Sequence, residues 1–141
     1  MGRRFEFLDI TKADAAFVAY GKDLNELFAN AALAMFQVMT DVEKVERREA
    51  IEVEVDGEDL ISLLVNWLNE LLFYFDSEGL LFSEFEVNVD EKSKRLKAKC
   101  WGERFDEKRH ELKAHVKAAT FHKSEVKKVN SEWRARIILD I

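Results

Sequence analysis

Two runs near the end of the chain have residue types and spacing that could do chemistry. Lys117-Ala118-Ala119-Thr120-Phe121-His122 offers a cation and an imidazole within six residues, and the chain stops at Asp140-Ile141. That ending sets a side-chain carboxylate beside the terminal carboxylate, and both are hard oxygen donors. Ile137, Ile138 and Leu139 just before them read as an ordered apolar strand rather than a loose tail. Two adjacent anions repel unless something neutralises them, and a divalent cation is one answer. A solvated chain end beside an exposed Asp is the other. Asp14 opens an apolar run near the start of the chain. If the early strand and the last strand neighbour each other, Asp14 meets Asp140. An all-oxygen set of this kind suits Ca²⁺, Mg²⁺ or Mn²⁺, and not Zn²⁺.

Other chemistries find no support in the sequence. The five glycines are isolated, so there is no phosphate-binding loop, and no Cys/His spacing fits zinc. No serine sits in a nucleophile elbow. Glu70 and Asp76 fall on different helix faces and make no carboxylate dyad. His110 and His115 lie in a charged stretch and are expected to be solvated. Cys100 is expected to be a small core residue rather than a nucleophile. Read alone, the sequence does not describe a self-sufficient enzyme.

The elements that must position these groups follow from periodicity. Residues 5–8 and 15–20 read as two strands joined by a polar loop over Asp9–Asp14. Asp23, with Glu26 three residues on, has capping-box spacing. Leu24, Leu27, Phe28, Ala31, Met35 and Met39 then follow at helical spacing to about residue 39. Residues 50–56 alternate strictly and end at Asp56-Gly57, as a half-buried strand does. Asp59 caps a second helix whose stripe runs through Leu60, Leu63, Leu64, Trp67, Leu68, Leu71, Leu72 and Phe75, ending near Gly79. A hairpin is expected over 80–90 and 95–104, turning at Glu91–Lys94. A charged loop covers 106–113. Three more strands are expected at 116–122, 124–129 and 133–140. The order gives an α+β fold: a single domain with one mostly antiparallel sheet and two helices packed on one face.

Composition narrows the class. The chain has 141 residues, 48% hydrophobic and 11% aromatic, enough for one real core. A net charge of −6 argues against direct nucleic-acid binding, whose phosphate contacts need a Lys/Arg surplus. No apolar run approaches the roughly 18 residues of a membrane span. Met1-Gly2-Arg3-Arg4-Phe5 has no apolar segment behind it, so no signal peptide is expected. A lone cysteine forms no internal disulfide, and the chain reads as cytoplasmic. Charged residues at 35% with a single Gln lean towards a thermophile.

Several blocks, in this order, resemble the archease family, small proteins that assist the RtcB-type RNA ligase. They are Ala13-Asp14 with Tyr20-Gly21; Leu27-Phe28-Ala29-Asn30-Ala31-Ala32 with Met35-Phe36; Asp59-Leu60 with Leu64-Val65-Asn66-Trp67-Leu68-Asn69-Glu70-Leu71-Leu72; Gly102-Glu103; Lys117-Ala118-Ala119-Thr120-Phe121-His122; and Asp140-Ile141. The resemblance spans nearly the whole chain. It departs where the family block opens His-Thr-Ala-Asp, since the same slots here hold Thr11-Lys12-Ala13-Asp14. The resemblance implies a protein that is not itself a ligase. It would promote guanylylation of the ligase and its multiple turnover in tRNA splicing and RNA repair. It also implies a divalent metal held by Asp14, Asp140 and the Ile141 carboxylate, with Lys117 and His122 in support. An acidic surface suits a basic partner.

Two other readings stay open. A general chaperone-like module would use an apolar patch, with Trp101, Phe105 and Phe121 as candidates if exposed. A small metal-dependent hydrolase would need a base beside the metal, and His122 is the candidate.

Overall fold

The computed structural model describes residues 3–11 and 13–141. Strands β1 (Phe5–Ile10) and β2 (Asp14–Gly21) lead into helix α1 (Leu24–Met39). A 3-10 turn, Val42–Lys44, precedes strand β3 (Glu49–Asp56), helix α2 (Leu60–Glu78) and the hairpin of β4 (Leu80–Asp90) and β5 (Arg95–Arg104). A long loop then crosses to β6 (Ala118–Val129) and β7 (Glu132–Asp140).

Both helices start as their caps dictate. Asp23 accepts from the Glu26 N–H at 2.8 Å, and Asp59 accepts from the Ser62 N–H at 2.8 Å while the Ser62 hydroxyl accepts from the Asp59 N–H at 3.0 Å. α2 ends at Gly79, whose φ of 70° is the left-handed value that a Cβ disfavours.

The α+β class and the antiparallel pairing hold. The strands divide, however, between two sheets: β1-β2-β7-β6 and β3-β5-β4. The reason lies in α1. Twelve of its sixteen residues are buried, so it is apolar nearly all round and cannot be satisfied by one sheet. It packs against β2 on one side and β4 on the other, while α2 packs against β6 and β3. The fully buried Trp67 of α2 donates its indole N–H to the Phe28 carbonyl of α1 at 3.0 Å, tying the two helices together. Gly102 is fixed by close packing: a Cβ there would lie 1.8 Å from the Leu81 carbonyl oxygen.

Residues 116–122 and 124–129 do not form separate strands. Residues 118–129 make one strand, β6, with a bulge, and residues 116 and 117 precede it. The register moves from Thr120↔Ile138 to Glu125↔Arg136, so β6 spends three more residues than β7 over that interval. Lys123 takes a φ of 55° there. The Ser124 hydroxyl donates to the Thr120 carbonyl at 2.6 Å and the Arg136 Nε–H to the Lys123 carbonyl at 2.8 Å, so backbone groups freed by the bulge are satisfied.

Candidate functional site

β2 and β7 are adjacent, with their register running from Asp14↔Asp140 to Gly21↔Trp133. Asp14 and Asp140, far apart in sequence, therefore face each other across one rung. The Ile141 N–H donates to the Ala13 carbonyl at 2.9 Å. This makes the neighbouring rung the hydrogen-bonded one and leaves Asp14 and Asp140 a non-hydrogen-bonded pair. Such pairs bring side chains closest, with Cα atoms about 4.5 Å apart. Alternation along β2 and β7 sends Ala15, Phe17, Ile137 and Leu139 into the core and leaves both aspartates exposed. Ile141 is half-buried and packs against that core, which orders the chain end.

A third strand joins the rung. Ala118 of β6 pairs with Asp140, and the Lys117 N–H donates to the Asp140 carbonyl at 2.7 Å. The Lys117 side chain is exposed. His122 is exposed too, but it lies four residues beyond Ala118 within the bulge, on the order of 10 Å further along the strand. Asp14, Asp140, Ile141 and Lys117 are thus brought together, and His122 stands apart.

Two residues that sequence reasoning passed over build this arrangement. The Thr11 hydroxyl accepts from the Asp14 N–H at 3.0 Å and the Ala13 N–H at 3.2 Å, and the Thr11 N–H donates to the Asp14 carbonyl at 2.7 Å. Thr11 thus fixes the turn that delivers Asp14. Lys12 lies outside the described residues. On the other flank, Asn69 of α2 clamps the Ala119 peptide: the Ala119 N–H donates to Oδ1 at 2.8 Å and Nδ2 donates to the Ala119 carbonyl at 3.2 Å. A polar residue within the apolar run of α2 was the available signal.

A second cluster overturns one expectation. His110 is 4% exposed and not solvated; His115 is exposed as expected. The His110 Nδ1 accepts from the Asp106 N–H at 2.9 Å, so the His110 proton sits on Nε2 and donates to Glu103 at 3.0 Å. Glu103, 3% exposed, also takes both Arg109 NH groups at 2.7 Å and the Glu46 N–H at 2.7 Å. The Arg109 bonds, more than offsetting the cost of burial, hold the Glu103 carboxyl down at about 2. This cluster anchors the loop that carries the chain from β5 to Lys117. Cys100 is fully buried, and burial pushes its thiol up to about 12, which suits a core residue and not a nucleophile.

The fold is a small α+β domain that presents two carboxylates, Asp14 and Asp140, at the end of its four-stranded sheet. The chain belongs to the Archease protein family (MTH1598/TM1083), whose family model matches residues 5–141. It is 48% identical over 139 residues to protein archease of Sulfurisphaera tokodaii, covering 99% of each chain. It is 51% identical over 139 residues to protein archease of Methanothermobacter thermautotrophicus, covering 97% of this chain and 98% of the relative. The solution structure of Methanobacterium thermoautotrophicum protein 1598 superposes with a TM-score of 0.85 at 51% identity, over 98% and 99% of the two chains. A Thermotoga maritima structure called an archease, possible chaperone, shares the fold at a TM-score of 0.65 and 16% identity, over 89% of each chain. The family agrees with the reading of a protein that is not an enzyme.

Proposed function

We propose that this protein is a non-catalytic activator of an RtcB-type RNA ligase in tRNA splicing and RNA repair, acting in the cytoplasm. The observation that carries this reading is the Asp14↔Asp140 rung beside the chain end. Among the described residues no three His, Cys, Asp or Glu side chains gather as a ligand set. A hard divalent cation (Ca²⁺, Mg²⁺ or Mn²⁺) at this edge would rest on the two aspartates and on the Ile141 carboxylate, whose oxygen is not a side-chain group. A cation there would supply fixed positive charge at an otherwise anionic edge. Asp14 and Asp140 hold it, and Lys117 offers a neighbouring hydrogen-bond donor to the partner. The acidic remainder of the surface complements a basic, nucleic-acid-binding ligase.

The two competing readings turn on specific residues. Trp101 is covered by Arg47 at 4.6 Å and Lys99 at 5.3 Å, and Phe105 packs against the core, so of the three patch candidates only Phe121 is well exposed. A hydrolase needs a base at the metal, and His122 lies along the strand from the carboxylate rung.

The test is ligase guanylylation with GTP and Mn²⁺, with and without this protein. Asp140→Ala should abolish the stimulation and leave the melting temperature within a degree or two, because removing one of two facing anions relieves repulsion. Normal stimulation by Asp140→Ala would overturn the assignment, as would guanylylation or RNA joining by this protein without the ligase.

A further inference from the structure

The far end of β2 and β7 has the opposite electrostatic character. Gly21 faces Trp133 there, seven strand steps from the aspartate rung and about 23 Å away at the usual rise. A cavity of about 520 Å³ opens at this end, with Arg3, Arg4, Lys22, Glu26, Asn30 and Glu132 in its wall. That volume is within the range of small-ligand sites.

Of the two acids in the wall, only Glu132 is paired with a cation. Glu26 accepts from the Lys22 backbone N–H at 3.1 Å, and Glu132 accepts from Arg134 Nε at 3.2 Å. Of the cations, Arg3 is paired with Glu6 at 3.1 Å and lies 4.4 Å over the Tyr20 ring. Arg4 and Lys22 form no ion pair among the described residues. Asn30, 8% exposed, stiffens the wall by donating to the Tyr20 carbonyl at 2.7 Å. A chain of net charge −6 thus has a recess in which, among the described residues, two cations without an ion pair, Arg4 and Lys22, outnumber the one such acid, Glu26.

We propose that this cavity binds an oligophosphate-class anion, with Arg4 and Lys22 as its charge contacts and Arg3 at its rim. A flexible Lys and a planar Arg on one wall suit several phosphoryl oxygens at once, which one compact anion would not engage. The site stands independently of the metal reading, at the other end of the sheet.

Calorimetric titration of the full chain with inorganic triphosphate, without divalent cation and at physiological ionic strength, tests it. Saturable one-site binding is expected. Arg4→Gln and Lys22→Gln should each weaken it about fivefold, the upper end for one exposed ion pair. Lys97→Gln, the same charge change on the other sheet, should leave it unaltered. A competition arm with short single-stranded RNA identifies the source. Displacement of triphosphate by RNA assigns the cavity to a phosphodiester backbone, and failure to displace assigns it to a free oligophosphate. Absence of saturable binding at millimolar triphosphate overturns the proposal. So does equal weakening by Lys97→Gln, which would mean that only the diffuse field of the protein is being read.

Discussion

Glu103 shows how much one buried carboxylate organises. Arg109, His110 and the Glu46 backbone all converge on it, and Arg48 approaches to 3.3 Å. Glu103→Gln keeps the shape but leaves Arg109 facing a neutral group. A loss of about 3 kcal/mol in urea unfolding is expected, at the low end for removing one member of a buried pair because Arg109 reaches solvent. The pH dependence follows from the sign of the shift. Arg109 holds the folded carboxyl at about 2, below the ordinary glutamate value of 4.5. Its contribution is therefore present above about 4.5 and drains away as pH falls towards 2. Acid unfolding curves of the parent should drop across that window, and Glu103→Gln should flatten the drop. An unchanged acid limb would refute this. His110 was misread from sequence because its neighbours are charged, and a charged stretch looks solvated until a carboxylate reaches in from the end of the adjoining strand. Asp14 and Asp140 were legible because polar residues ending apolar, alternating strands can only sit at sheet ends. Thr11 was less so: its side chain acts on backbone amides, which leave no mark in residue type.

At the scale of elements, α2 is held at its centre and clamps β6. Trp67 is fully buried among Phe28, Phe85 and the core, and Trp67→Ala should cost about 3–5 kcal/mol through lost burial, a cavity and the lost bond to the Phe28 carbonyl. Paired melts and ligase stimulation assays should show activity tracking the folded fraction. An unchanged melting curve would place Trp67 on the surface and refute its core role. Asn69→Ala should cost less, about 1–2 kcal/mol, for two hydrogen bonds to a partly solvated peptide. Its specific mark is faster amide exchange at Ala119 with little change in α1, and equal protection of Ala119 in parent and variant would refute the clamp. Helix boundaries were readable because Asp23, Asp59 and Gly79 are local signals. The Asn69–Ala119 link joins residues fifty apart in sequence, and no periodicity reports such a pair.

On the scale of the whole molecule, the division into two sheets was the part hidden from the sequence. Alternation tells which face of a strand is buried, not which other strands share its sheet. The composition of α1 held the clue. An almost wholly apolar sixteen-residue helix needs cover on both sides, and a single sheet with two helices on one face leaves half of it bare. The same layering explains the charge on the second sheet's outward face, where Lys99 of β5 lies between Glu52 of β3 and Glu86 of β4. Opposite charges across strands stabilise that solvated surface modestly.

Two open sheets leave outer strands that could recruit strands from other molecules, and the bulge in β6 bears on this. β6 is an outer strand of the four-stranded sheet and runs twelve residues, long enough to template intermolecular pairing if it were flat. The three surplus residues and the left-handed Lys123 break that flatness. Deleting 121–123 should give a straighter, better-paired β6, and with it a protein that forms thioflavin-positive aggregates on heating while the parent stays dispersed. Equal turbidity for both on heating would show that the bulge offers no such protection. Solubility in a crowded cell is then written into a local irregularity rather than into overall charge.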